Sequence, residues 1–362
     1  MGAARMVQRW TDTVKELLPS VHGHRINALA DFSFAMCAAG HCHSGKLAAS
    51  AVSDAKPASI RRRWERLVAN SDLNAQQVLR EFSALILSPW SGRHLLLILD
   101  ETPNGEHLRC MRLGVAYRKR MLTLAAECYP TNKPPMRMPE LVCRMLRQVA
   151  RLLPPNVRVT LLCDRGLAWP KTLDCVAKLG MGVVMRLQGS TRVTLASGKV
   201  FKAADLVKRK GQQWSAVVPI FKKAGWRKTR LSICWDRRSK EPWILAAPED
   251  GLGGLHAAQA YAKRNWCEQS FRDEKSSGFQ WDQSHVCKPK RVLTIVLVMA
   301  LAMLLSISLG TWLIKSGRRK ELDPHVRRRL SFFQLGLRWL RHVLNLSEDS
   351  AIPPYLPYLH PS

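Results

Sequence analysis

Apolar positions fall into two kinds of run along the chain. Continuous short runs bounded by turn residues read as buried strands, and runs repeating every three to four residues read as helices. Residues 1 to about 90 are almost wholly of the second kind. Apolar and basic residues interleave in Ser59-Ile60-Arg61-Arg62-Arg63-Trp64-Glu65-Arg66-Leu67, and helical pattern continues from Ala75 to Leu87. Pro89, Ser91 and Gly92 break it, and a very apolar strand, His94-Leu95-Leu96-Leu97-Ile98-Leu99, then ends on Asp100. Two alternating segments, His107 to Tyr117 and Met121 to Cys128, read as the next strands. A helix from Pro139 to Leu153 leads past Pro154-Pro155 into a second apolar strand, Val157 to Cys163, which ends on Asp164. A helix (Pro170 to Leu179) and a strand (Met181 to Leu187) complete the order β-β-β-α-β-α-β. Central strands apolar on both faces fit a mixed α/β sheet.

Beyond Gln188 the pattern changes. Short β-like pieces (Arg192–Leu195, Trp214–Phe221, Arg230–Trp235) alternate with Gly- and Lys-rich turns, and residues 188–243 hold 14 Lys and Arg against 3 acids. Helix resumes near Leu255 and runs past Lys275. An uncharged apolar stretch, Val292 to Ile314, and a basic amphipathic tail, Arg327 to Leu346, follow. The expected organisation is a helical N-terminal region (1–90), the first part of a sheet domain (91–187), a basic β-rich insertion (188–250), the second part of the sheet domain (251–315) and a basic C-terminal tail (316–362) that is a candidate for oligomerisation. Val292–Ile314 is long enough to span a membrane. A fully buried helix of a large α/β core has the same composition, and that is the reading adopted, with no membrane partner.

Charge narrows the partners. The 362 residues carry a formal net charge of +30 with a pI of about 10.4, a field suited to a polyanion: nucleic acid first, an anionic membrane surface second. Residues 1–99 contribute modestly, with 12 Lys and Arg against 7 acids. Of the two readings, a solvated helical bundle and a DNA-reading module of helix-turn-helix type, the second is adopted, making residues 1–90 an N-terminal DNA-binding region. Ten cysteines are dispersed without a Cys-x-x-Cys pair, and Met1 to Ser20 has the charged, amphipathic character of a helix rather than of a secretory signal. Both features fit a reducing cytosol. His22, His24, Cys37, His41, Cys42 and His43 cluster, but their spacing matches no zinc motif and they read as core and surface residues.

Asp100 and Asp164 share one context, a carboxylate closing an apolar strand. Ligands collect at the carboxyl ends of strands in an open α/β sheet, and two such aspartates on adjacent strands can share divalent cations. Asp is also a common turn residue after a strand, so the pair alone is weak evidence. Tyr261, Arg264, Glu268, Arg272 and Lys275 lie at offsets 0, 3, 7, 11 and 14. On one continuous helix they form a single stripe, an acid among cations and a Tyr. The bland account is a solvated face held by i, i+4 ion pairs. The functional one is a third metal carboxylate whose neighbours grip phosphates.

Tyr-x2-Arg-x3-Glu-x6-Lys resembles the YREK signature of the insertion-sequence-four family of transposases, matched at every spacing by Tyr261, Arg264, Glu268 and Lys275. The chain is also similar to that family in its first Asp (Leu99-Asp100-Glu101-Thr102), in the Asp164-Arg165-Gly166 turn and in the β-rich insertion. The family often has an aromatic after that turn; Leu167 stands here, a departure that should affect packing only. The resemblance covers about residues 90–345. It implies a ribonuclease H-like core with Asp100, Asp164 and Glu268 as catalytic and metal-binding triad for two Mg²⁺ or Mn²⁺ ions. Arg264, Arg272, Lys275 and Tyr261 become candidate DNA contacts, and Trp243 a candidate stacking platform for a base flipped out at the transposon end. The implied activity is metal-dependent cleavage of transposon ends and strand transfer into target DNA. The implied partners are terminal inverted repeats, target DNA and a second copy in a homodimeric complex, in a bacterial-type, nucleoid-associated cytoplasmic setting. A non-catalytic DNA-binding protein derived from a transposase is the alternative. Glu101 should face away from Asp100, and Asp273 and Glu274 lie off the Glu268 stripe.

Overall fold

The computed structural model describes residues 2–346; the end of the C-terminal tail, residues 347–362, lies outside them. Five helices open the chain: α1 (Gly2–Leu17), α2 (Gly23–Ala39), α3 (Ser44–Ser50), α4 (Pro57–Ala69) and α5 (Ala75–Leu87). Their apolar faces, such as Met6, Trp10, Val14 and Leu17 on α1, are buried. Three strands follow, β1 (His94–Asn104), β2 (Leu108–Tyr117) and β3 (Arg120–Pro130), and then α6 (Met138–Ala150), β4 (Arg158–Cys163), α7 (Pro170–Lys178) and β5 (Gly182–Arg186). The basic segment adds β6 (Arg192–Thr194), β7 (Val200–Lys202), β8 (Gln213–Ile220), β9 (Arg227–Cys234) and β10 (Trp243–Ala247). Helices α8 (Gly254–Ala262), α9 (Asn265–Arg272), α10 (Pro289–Lys315) and α11 (Phe332–Asn345) complete the described chain.

The main sheet has the order β3-β2-β1-β4-β5-β10-β9-β8. β1, β4 and β5 are parallel; β2 and β3 are antiparallel additions on one side. These five strands form the mixed α/β sheet expected from the β-β-β-α-β-α-β order, and the family resemblance implies a ribonuclease H-like core for it. β10, β9 and β8 pair antiparallel and extend the same sheet, while β6 and β7 form a small separate ribbon.

Alternation along β1 assigns the faces. Leu95, Leu97 and Leu99 belong to the large core that includes the N-terminal helices and α10, whereas Leu96 and Ile98 pack with Ala257, Tyr261, Cys267 and Phe271 of α8 and α9. α10 is long and apolar enough to cross a membrane, yet 94% of its most apolar window is buried within the fold. α2, α4, α5, α11 and β3 pack around it. The crossing with α11 is close because Gly336 faces α10: a Cβ there would lie 1.8 Å from the Ser306 carbonyl oxygen.

Candidate active site

Asp100 does not terminate its strand, which corrects one expectation. β1 runs on to Asn104, because residues 100–104 remain paired with β2, Asp100 opposite Arg112 and Asn104 opposite Leu108. What ends near Asp100 is the parallel ladder with β4, whose last pair is Leu99 with Cys163. Asp164 follows immediately, in extended backbone before the short 3₁₀ turn Arg165–Leu167. The two aspartates thus sit side by side where β1 and β4 part. A cleft of about 350 Å³ opens there, lined by both with Glu101, Met138, Leu167 and Trp169. Leu167 is buried in the large core, so the Asp-Arg-Gly turn is held by an apolar anchor.

The segment bearing Glu268 departs from a single helix. α8 ends at Ala262, Arg264 closes a turn by bonding its N–H to the Tyr261 carbonyl (2.8 Å), and α9 starts at Asn265. After Arg272 the chain widens into a π-helical turn, Asp273–Ser277. The stripe drawn for one continuous helix is therefore broken. Glu268 and Arg272 face outward, while Arg264 and Lys275 are partly buried and Tyr261 is buried. The inward side of α9 docks firmly. Ser270 Oγ accepts the Met121 N–H at 2.8 Å on the edge strand β3, and Cys267 and Phe271 bury among Leu96, Ile98 and Met121. Two ion pairs anchor the π turn: Arg120 with Asp273, and Arg112 with Glu274 at 2.7 Å. The two nearby acids that could have competed for a role in the triad are thereby occupied. Glu101, which also lines the cleft, accepts a hydrogen bond from Tyr129.

These placements bring Asp100, Asp164 and Glu268 onto one cation. Arg264 Nη2 lies 2.9 Å from Asp100 Oδ2 and 3.8 Å from Asp164 Oδ2, and Arg264 Nη1 bonds Glu268 Oε1. Exposure rises across the site, from 13% for the Asp100 side chain through 31% for Asp164 to 52% for Glu268, so the carboxylates line a wall open at Glu268. The Tyr261 hydroxyl donates to Asp164 Oδ1 (3.0 Å), and the Cys267 thiol to Asp100 Oδ2 (3.1 Å). Tyr261, expected beside a phosphate, is instead turned inward, because its ring belongs to the apolar cluster under α8 and only its hydroxyl reaches the site. The Trp243 ring meets it edge to face, centroids 5.3 Å apart. Cys267 was not singled out by the sequence; a lone thiol beside a candidate acid gives no pattern to read.

Electrostatics separate the two aspartates. Burial pushes the Asp100 carboxyl up, with Arg264 and Cys267 only partly offsetting it. For Asp164 burial also acts upward, but the Arg165 N–H, the Arg264 guanidinium and the Tyr261 hydroxyl outweigh it and hold the group below its usual range. Among the described residues no group of three or more His, Cys, Asp and Glu is arranged to hold a metal. At the triad a guanidinium already stands between the carboxylates. The donor set itself is hard oxygen, the chemistry that suits Mg²⁺ or Mn²⁺.

Carboxylates from a mixed α/β sheet and from a helix beyond the basic β-strand segment, converging on one cation, define an acidic site on a strongly basic chain. The chain belongs to the transposase DDE domain family, whose model matches residues 99–305, more than half of its length. No curated protein matches it. Among solved structures, a cysteine-substituted catalytic domain of human endonuclease V aligns at 17% identity over 65% of this chain and 92% of that one, with a TM-score of 0.24, too low to bear on fold or function.

Proposed function

We propose that this protein is a DNA transposase of the insertion-sequence-four type, in which Asp100, Asp164 and Glu268 hold two divalent ions, Mg²⁺ or Mn²⁺, that cleave transposon ends and join them to target DNA. The observation that carries this reading is the convergence of all three carboxylates on Arg264 at the point where β1 and β4 part. When bound, the ions supply the charge that activates water or a 3′-hydroxyl and stabilises the leaving 3′-oxygen. The residues supply placement. Cys267 holds Asp100 by Oδ2 and Tyr261 holds Asp164 by Oδ1, leaving one oxygen of each for other partners. Arg264 leaves the triad for a DNA phosphate, and Arg272, exposed one turn beyond Glu268, lies on the same outward side. Lys275 lies within the π turn and is a candidate contact at the edge of that surface. No protein nucleophile is required, since positioning and charge neutralisation carry phosphoryl transfer. The test is cleavage of DNA bearing the element's own inverted repeats by the purified full-length chain. Nicking that needs Mg²⁺ or Mn²⁺ supports the proposal; DNA binding with no cleavage under either ion favours a non-catalytic derivative.

The position of Arg264 has a measurable consequence. A guanidinium bonded to the triad competes with any divalent ion, and charge-assisted bonds of this kind are each worth roughly 1.5–3 kcal/mol. Arg264→Ala should raise Mn²⁺ affinity of the DNA-free protein by roughly tenfold or more, read by electron paramagnetic resonance of free Mn²⁺. Unchanged or weaker binding would contradict competition between Arg264 and metal.

Trp243, half-buried against Tyr261, stands beside the Asp164 end of the site. Stacking on a flipped base is worth about 1–3 kcal/mol. Trp243→Ala should leave first-strand nicking of a transposon end intact and sharply reduce hairpin formation on a pre-nicked end. Equal loss of both steps with a lower melting temperature would mark Trp243 as a packing residue only.

A further inference from the structure

A second basic feature lies away from the carboxylates. α4 carries Arg62, Arg63 and Arg66, and the start of α10 brings Arg291 to the same trough, a hollow of about 760 Å³ that also includes Ser59 and Glu65. Arg63 and Arg66 continue into an adjoining hollow of about 460 Å³ bordered by α2. The charges are not balanced locally. Glu65, the acid of the first trough, pairs with Arg61 at 2.9 Å, and Arg63 pairs with Asp31 at 2.7 Å. Arg62, Arg66 and Arg291 are exposed, and their side chains make no hydrogen bond or ion pair among the described residues.

The walls are rigid. Ile60, Trp64 and Leu67 of α4 are buried, Trp64 stacks on Phe32 with ring centroids 5.1 Å apart, and Val292 and Ile295 of α10 are fully buried. The core therefore fixes the position of like charges that repel one another and gain nothing from the folded chain. A polyanion lying along the trough would turn that repulsion into attraction. α10 belongs to the core on the sheet face opposite α8 and α9, so the trough is a contact distinct from the triad.

We propose that the trough between α4 and the start of α10 seats the phosphate backbone of duplex DNA. The assignment rests on the reading of the protein as one that acts on DNA, and adds the surface that holds the duplex outside the active site. Each phosphate contact removed should lower the salt dependence of binding by about 0.9 in the log–log slope. For full-length protein carrying Arg62→Ala, Arg66→Ala and Arg291→Ala together, the slope should fall by nearly three, measured by fluorescence anisotropy on a duplex of unrelated sequence between about 50 and about 200 mM salt. Replacing the same three residues by Lys should keep most of it. The side chains are exposed, so the melting temperature should not change. A matched loss of charge at Arg80, Lys178 and Lys320 should leave the slope nearly intact. An unaltered slope in the triple alanine variant overturns the trough, as does an equal fall in the control or a loss confined to RNA of the same sequence. Failure of the wild type to bind any DNA would instead overturn the reading of the protein itself.

Discussion

Asp100→Ala, Asp164→Ala and Glu268→Ala should each abolish strand cleavage, by at least about 10³-fold, because residues that act as one catalytic unit fail together. DNA binding should survive in all three. It is carried by many cations on a chain of net charge +30, and removing an acid weakens no phosphate contact. Glu101→Ala is the control: Glu101 also lines the cleft, but its carboxylate accepts a hydrogen bond from Tyr129 and is not paired with Arg264, so cleavage should persist. The acid limb of the reaction should follow Asp100 rather than Asp164. Burial raises the first and the surrounding donors lower the second, so falling pH protonates Asp100 while Asp164 is still ionised. Mn²⁺ binding should disappear over the same pH range, above the usual carboxylate values. Full metal-dependent nicking by any one of the three alanine variants removes that residue from the triad.

Much of this arrangement could be read from the chain, for physical reasons that differ by element. The apolar runs ending at Leu99 and Cys163 are strands buried on both faces, and their composition alone gives their place at the centre of the sheet. The grouping of Arg264, Glu268 and Arg272 was equally legible, since they recur every four residues. The break between α8 and α9 was not. Ala262-Lys263-Arg264-Asn265 contains no Gly or Pro, and only the packing of both Tyr261 and Cys267 against the same face of the sheet shows why the chain turns there. The extension of the sheet by β8, β9 and β10 was also hidden, because which strands pair is set by contacts far apart in sequence. The fate of Asp273 and Glu274 depended on two arginines more than 150 residues away.

Those arginines lead to the largest expected effect on stability. Arg112 and Glu274 side chains are exposed by 1% and 3%, and their charges meet at 2.7 Å between β2 and the π turn. Trp281 and Phe271 flank the guanidinium, with ring centroids 5.0 and 5.6 Å away. The pair is only partly satisfied: Arg112 Nε and Nη2 and Glu274 Oε2 have no hydrogen-bond partner. Burial pushes the Glu274 carboxyl up despite Arg112, as expected where desolvation rivals attraction. Glu274→Ala leaves a buried guanidinium uncompensated and should cost about 3–5 kcal/mol, read as a lower denaturant midpoint. Replacing both, Arg112→Met with Glu274→Leu, should recover most of the loss or exceed wild type, since an apolar pair of similar volume avoids desolvation altogether. Cleavage should not recover in parallel. Arg112 is the register partner of Asp100, and Glu274 lies six residues beyond Glu268, so this ion pair ties the strand beside one carboxylate to the segment carrying another. A doubly substituted protein that is stable and cleaves at the wild-type rate would show that the pair has no part in positioning the triad; a Glu274→Ala protein with an unchanged midpoint would show that it contributes nothing to the fold.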